Sequence, residues 1–276
     1  MHHDHEQHDT EATQPREFWR YPERQVGHTV QVYDETASTN DLAKLLAWRI
    51  RPGTALLTRQ QTAGRGQYGR VWHGGRDLSV LLSVIVEPPP ALRRPVVMTA
   101  WSTVAVARAI HDLSGRIPRL KWPNDLLIDG KKLSGILIES LSKSQSASWI
   151  IAGIGLNVRQ TAADFQAAGL PDATSLEQLG CKAEPDEAAE RVLFHLNELY
   201  ESLLSTGGPA IEAAWSELLG LRYAPALIEL RDGYQDIGII ESLQFTGIRI
   251  MTSAGSIVRE PESIVRILSD SIAPLA

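Results

Sequence analysis

The spacing of apolar side chains divides the chain into a mixed first part and an all-β last part. Val30-Gln31-Val32-Tyr33 alternates with period two and predicts a short strand. Ser38-Thr39-Asn40-Asp41 offers capping side chains ahead of LAKLLAWRI, whose apolar residues recur at helical spacing, and Arg51-Pro52-Gly53 stops that helix. Residues 54–58 and 78–86 read as strands, and 96–113 as a helix ended by Gly115. Apolar runs on either side of Asp129-Gly130 predict a hairpin with a two-residue turn. Residues 149–158 read as a buried strand broken by glycines, and helical spacing returns over 185–205 and 209–219. From about Tyr223 onward the runs ALIEL, IGIIESL, IRIMT and IVRIL alternate between Asp-Gly, Thr-Gly and Ala-Gly pairs, the pattern of a small β module.

Strands followed by segregated helices, with neighbouring strands joined by a hairpin, indicate an α+β fold with a mostly antiparallel mixed sheet, followed by a small β-barrel. The expected division is a disordered polar tail over 1–28, a main domain over 29–221 and a β domain over 222–276. No helix-turn-helix is expected ahead of the sheet, because the segment before it is short and polar. With 43% hydrophobic and 22% charged residues, the composition suits a chain that buries a core. A net charge of −6 argues against a protein built to coat nucleic acid. The lone Cys181 precludes an internal disulfide or a cysteine metal cluster. No apolar run reaches membrane-spanning length and no secretion signal opens the chain, so a cytoplasmic protein is expected. His2, His3, His5 and His8 read as a solvated tail rather than a metal scavenger.

The segment Gly64-Arg65-Gly66-Gln67-Tyr68-Gly69 satisfies the G-x-G-x-x-G pattern of dinucleotide-binding turns. Its context rejects that reading. Polar Gln60-Gln61-Thr62 precedes it where a strand is required, and Gly74-Gly75 follows where a helix is required. What remains is a mobile loop carrying Arg65 and Arg70 among glycines, with Trp72 beside it. Glycine lets backbone approach a phosphate, and guanidinium groups match phosphate or carboxylate oxygens, so the loop reads as an anion site.

A second cluster spans the hairpin. Lys121, Asn124 and Asp125 surround Pro123 at a bend, and across the turn Ile128 is expected to pair with Lys131 and Leu127 with Lys132. Alternation lets at most one of these lysines face a site on the covered side; the other is an edge charge. Gly153, Gly155 and Asn157 share one face of the following strand, which fits either close ligand approach or tight packing.

Ser38-Thr39-Asn40, QQTAGRGQYGRVW at 60–72, KWPND at 121–125, KKLSGILIE at 131–139 and GIGLNV at 153–158 together resemble the bacterial biotin–protein ligases. More loosely they resemble the lipoate–protein ligases of the same superfamily. The resemblance implies a class II synthetase-like catalytic domain, an SH3-like β domain, and a monofunctional enzyme without a DNA-binding domain. It implies ATP and biotin as substrates, with Mg²⁺ assisting, and a biotin carboxyl carrier domain as partner; a homodimer is compatible with it. Carried over residue by residue, Lys132 bridges carboxylate and phosphate and Arg65 joins it in catalysis. Ser38, Thr39, Asn40, Gln61, Gly64, Arg65, Gly66, Gln67, Lys132, Gly135, Gly153 and Gly155 match the vitamin side. Arg70, Trp72, Lys121, Asn124, Asp125 and Asn157 match the nucleotide side, and no metal ligand is assigned. The alternatives are a lipoate or octanoate ligase, or a non-catalytic binding protein on the same scaffold. One departure stands out: many relatives carry arginine where this chain has Gln67, which implies weaker retention of an activated adenylate.

Overall fold

The computed structural model describes residues 14–142 and 148–269 of the chain. Eight strands form the main sheet: β1 (Glu17–Arg20), β2 (Thr29–Tyr33), β3 (Ala55–Thr58), β4 (Ser79–Val86), β5 (Arg119–Lys121), β6 (Asp125–Ile128), β7 (Lys131–Ser142) and β8 (Ser148–Asn157). Their order is β1-β2-β3-β4-β8-β7-β6-β5. Only the β2–β3 pairing is parallel. The molecule is thus mixed α+β with a mostly antiparallel sheet.

Helix α1 (Thr39–Leu46) covers one face, where Leu42, Ala43 and Ala47 pack on Tyr33, Leu56, Ile85 and Ile151. The opposite face carries α2 (Pro95–Ser114), α4 (Pro185–Thr206) and α5 (Pro209–Leu219), and the short α3 (Ala162–Ala167) lies between β8 and α4 in the chain. Helix α2 starts at Pro95 and ends with Gly115 in the left-handed region, where a side chain would be strained. Alternation along β4 and β8 explains the two layers. Val80, Leu82, Val84, Ala152, Ile154 and Leu156 point into the large core beneath the helices, while Leu81, Ser83, Gly153 and Gly155 take the other face.

Strands β9 (Pro225–Leu230), β10 (Gln235–Gln244), β11 (Gly247–Thr252), β12 (Gly255–Arg259) and β13 (Ile264–Leu268) form a second sheet in the order β12-β11-β10-β9-β13, antiparallel throughout. Strand β12 has no counterpart in the sequence reading, because its alternation is short and half exposed.

The expectation of disorder through residue 28 is corrected for residues 14–28, the part of that segment among the described residues. Residues Glu17–Arg20 add an antiparallel strand to β2, Trp19 and Tyr21 pack against the core, and Val26 is fully buried. Two aromatic side chains among charges gave too weak a periodic signal, and burial of the edge of β2 decided the matter. The histidines at 2, 3, 5 and 8 lie outside the described residues.

Candidate active site

The face of the sheet not covered by the large helices holds a cavity of about 550 Å³. Its floor follows from strand register. Gly135, Gly155 and Leu81 lie side by side across β7, β8 and β4, and Leu137, Gly153 and Ser83 form the next row. The glycines are required by what lies above them. A Cβ at Gly155 would collide with the Trp72 indole, and one at Gly153 with the Asn40 amide.

One end of the cavity is built by the start of α1. Ser38, Thr39 and Asn40 are all buried, and the Ser38 side chain makes no capping bond. Thr39 donates its backbone N–H to Gln61 Oε1 at 2.8 Å. Ser83 Oγ lies 2.7 Å from Thr39 Oγ1 and 2.6 Å from Asn40 Oδ1. This end therefore offers a polar rim on a floor nearly free of side chains, which suits a ligand with a polar head and an apolar body.

The glycine-rich segment arches over the floor. It is a narrow ribbon rather than a loose loop: Trp72 N–H donates to Gly64 O at 3.0 Å and Gly66 N–H to Arg70 O at 2.7 Å. A tight turn over Gln67–Gly69 closes it, with Tyr68 and Gly69 at positive φ. Arg65 reaches back to Asp41 and, at 3.0 Å, to Glu139 Oε1. Glu139 also accepts from Lys44 at 2.8 Å and from Asn40 at 2.9 Å. Burial opposes charge on Glu139, but the hydrogen bonds from Lys44 and Asn40 and the charges of Lys44 and Arg65 outweigh it, holding this carboxyl below its usual range.

At the far end the β6–β7 hairpin delivers Lys132, whose Nζ lies 2.7 Å from Asp125 Oδ1 and 5.6 Å from the Trp72 ring centroid. The pairings Leu127↔Lys132 and Ile128↔Lys131 are as the sequence predicts. Lys132 and Gly135 nevertheless both line the cavity, which simple alternation forbids. A β-bulge explains it: Leu126 pairs with Ser134 and Leu127 with Lys132, leaving Leu133 as an extra residue turned into the core. Arg70 and Lys121 also line the cavity, and among the described residues neither is in an ion pair. Cationic groups held without carboxylate partners suit a polyanion.

The profile of the Biotin/lipoate A/B protein ligase family matches residues 32–157. The biotin–[acetyl-CoA-carboxylase] ligase of Mycobacterium tuberculosis is 31% identical over 252 residues, covering 83% of this chain and 88% of that protein. The chain belongs to the biotin–protein ligase family. The bifunctional ligase/repressor of Bacillus subtilis is 35% identical over 199 residues, and the match spans 71% of this chain but only 61% of that relative's length. A solved structure, the Aquifex aeolicus biotin protein ligase in complex with biotin and ATP, superposes with a TM-score of 0.74 at 24% identity, covering 87% of this chain and 99% of that one. That likeness supports the fold.

Of the residues matched to the ligase pattern, Ser38, Thr39, Asn40, Gln61, Arg65, Gly66, Gln67, Arg70, Trp72, Lys121, Asn124, Asp125, Lys132, Gly135, Gly153 and Gly155 line this one cavity. Two do not. Gly64 forms the base of the ribbon, where a Cβ would strike the Trp72 carbonyl, so it lets the two ends of the ribbon pair closely. Asn157 is buried beside Ser79, donating to Thr174 O at 2.9 Å and accepting from Gln160 at 3.2 Å. Its position past Gly153 and Gly155 on one strand suggested the cavity, but the floor ends at Gly155. The sequence reading had assigned no residue of the second sheet, yet Val265, Arg266 and Leu268 of β13 line the rim. Nothing local marks them, because the contact exists only once the two sheets pack together.

Proposed function

We propose that the protein is an ATP-dependent ligase that converts biotin to biotinyl-5′-adenylate and transfers biotin to a lysine of a carboxylase carrier domain. The observation that carries this reading is the set of groups gathered around one cavity: a polar rim, a glycine floor with Lys132 beside Gly135, and Arg70 and Lys121 without carboxylate partners among the described residues. A vitamin acid laid on the floor brings its carboxylate to Lys132, and a nucleotide at the cationic end brings its α-phosphate to the same place. Two anions meet there, so a fixed ammonium is what the chemistry requires.

In the first step a carboxylate oxygen bonds to the α-phosphorus, the bond to the bridging oxygen breaks, and pyrophosphate leaves with the electron pair. In the second, the neutral amine of the carrier lysine bonds to the acyl carbon. The acyl–oxygen bond to AMP then breaks and the amine gives up a proton. The ribbon from Gly64 to Trp72 screens the mixed anhydride from water between the steps.

Asp125, the one carboxylate lining the cavity among the described residues, is the oxygen donor that fits a magnesium ion arriving with the phosphates. Such an ion, when bound, neutralises charge on departing pyrophosphate. Among the described residues no group of three or more His, Cys, Asp or Glu side chains could hold a metal unaided, so the phosphates would supply the other ligands.

Among the described residues no helix is long and apolar enough to cross a membrane, and we place the reaction in the cytoplasm, where ATP and carboxylase carriers meet. The decisive experiment is pyrophosphate release from ATP and Mg²⁺ with biotin, lipoate or octanoate. Biotin alone supports turnover if the reading holds, and Lys132→Ala lowers the rate by ~10²-fold, the scale for one preset charge stabiliser. Release with lipoate or octanoate instead assigns the sister activity, and an unaffected Lys132→Ala rate removes Lys132 from the reacting centre.

A further inference from the structure

Glu139 does not line the cavity, yet it is the carboxylate on which the vitamin end of the site converges. It sits on β7 two residues beyond Leu137, on the site face, with its side chain only 18% exposed. Three donors from two separate parts of the chain meet it. Asn40, from the first turn of α1, donates at 2.9 Å; Lys44, one helical turn further, donates at 2.8 Å; Arg65, from the arching ribbon, donates at 3.0 and 3.2 Å. Asp41 takes a further bond from Arg65 and lies 3.3 Å from Lys44. Two cations and two carboxylates thus form one closed cluster, and it ties the ribbon to both α1 and β7.

This arrangement leaves Arg65 with a different task from the one its place in the motif suggests. Its guanidinium is committed to two carboxylates, whereas Arg70 and Lys121 carry no such partners among the described residues. A guanidinium whose donors are taken by two carboxylates has few left for a phosphate, while a fork held on both sides fixes the backbone that carries it.

We propose that Glu139 is a positioning residue which, with Asp41, clamps Arg65 so that the glycine-rich ribbon is held shut over the vitamin end of the cavity. Arg65 acts through this clamp and leaves phosphate binding to Arg70 and Lys121. The same carboxylate aligns Asn40, whose Oδ1 is held by Ser83 at 2.6 Å, so ribbon closure and the polar rim are set by one group. The assignment rests on the ligase reading for its substrates but not for its mechanical content, and the test separates the two.

In ligand-free protein, tryptic cleavage after Arg70 reports how firmly the ribbon is held. Glu139→Gln keeps the size and loses the charge, and cleavage is expected to accelerate about tenfold, with thermal unfolding little changed. Asp41→Asn, at the exposed edge of the cluster, gives a smaller acceleration and serves if Glu139→Gln does not fold. Wild-type cleavage rates in both variants overturn the clamp, whatever the protein's substrate.

In pyrophosphate release, Arg65→Gln, Glu139→Gln and the double variant are each expected to raise KM for biotin about tenfold, without adding, while kcat and KM for ATP stay within about threefold. Glu139→Asp restores most of the loss. The opposite pattern, Arg65→Gln lowering kcat or raising KM for ATP while Glu139→Gln is silent, makes Arg65 a phosphate ligand and overturns the proposal. Absence of biotin-dependent turnover in the wild type would count against the ligase reading and leave the cleavage result to decide the clamp.

Discussion

At the scale of single residues, the site works through what is left out as much as through what is present. Gly135, Gly153 and Gly155 leave room for Lys132, Trp72 and Asn40 to lie against strand backbone. Gln67 is the telling substitution. It lines the cavity in the turn of the ribbon, and as an amide it offers donors without a charge. Gln67→Arg adds a cation beside the predicted adenylate and is expected to slow release of biotinyl-adenylate in the absence of carrier. Single-turnover assays with labelled biotin measure that rate, and an unchanged rate would remove Gln67 as the cause of any leakage. The glycines were legible in the sequence because each interrupts a local pattern, and Gln67 because it departs from the motif of the family the chain resembles. The clamp on Arg65 was not, since its carboxylates lie 24 and 74 residues away.

At the scale of elements, the β6–β7 hairpin shows how one extra residue decides which side chain is functional. Counting back from Gly135 by twos would bring Lys131 and Leu133 to the cavity. The bulge at Leu133 reverses that parity, buries Leu133 in the core and turns Lys132 to the site. Lys131 is left exposed at the turn. Lys131→Ala is therefore expected to keep pyrophosphate release within about twofold of wild type, as surface substitutions do. A loss comparable with that of Lys132→Ala would show that the hairpin register differs in the working enzyme. The sequence reading narrowed the choice to one lysine, and family resemblance picked it. The bulge supplies the physical reason, and no turn or glycine signal in the sequence announces it.

At the scale of the whole molecule, the two sheets share one apolar core. Trp215 of α5 lies between Trp122, at 6.0 Å, and Phe245, at 5.7 Å, and is buried to 1% exposure. Trp122 also donates to Ile264 O at 3.2 Å, and Arg94 pairs with Glu262 at 2.7 Å. The cores merge into a single cluster, so both sheets are expected to unfold in one transition. Trp215→Ala costs ~3–5 kcal/mol through lost burial and the cavity left behind. Urea unfolding followed by near-ultraviolet circular dichroism checks both points, and two resolved transitions would mean that the sheets are not coupled.

The same burial governs alkaline behaviour. Burial pushes Tyr33 up to about 12, and burial with the nearby Glu87 charge does the same for Tyr200. Both hold their protons in the folded state beyond the ordinary value near 10, so their contribution to stability is intact below that pH and is lost as pH rises towards about 12. Absorbance titration is expected to show these two of the 6 tyrosines ionising late or only on unfolding. Ordinary titration of all would show that the two sites are open to water.

The sequence by itself determined most of the order of strands and helices, the hairpin turn, the α+β class and more than half of the cavity lining. Those features are written in local periodicity, in turn residues, and in short dense motifs that fold as units. Only the tertiary structure decided the strand at Glu17–Arg20, the parity of Lys132, the exclusion of Asn157, the clamp on Arg65 and the contribution of β13 to the rim. Each depends on groups far apart in the chain being brought together by core packing, and spacing along a sequence carries no record of such distances.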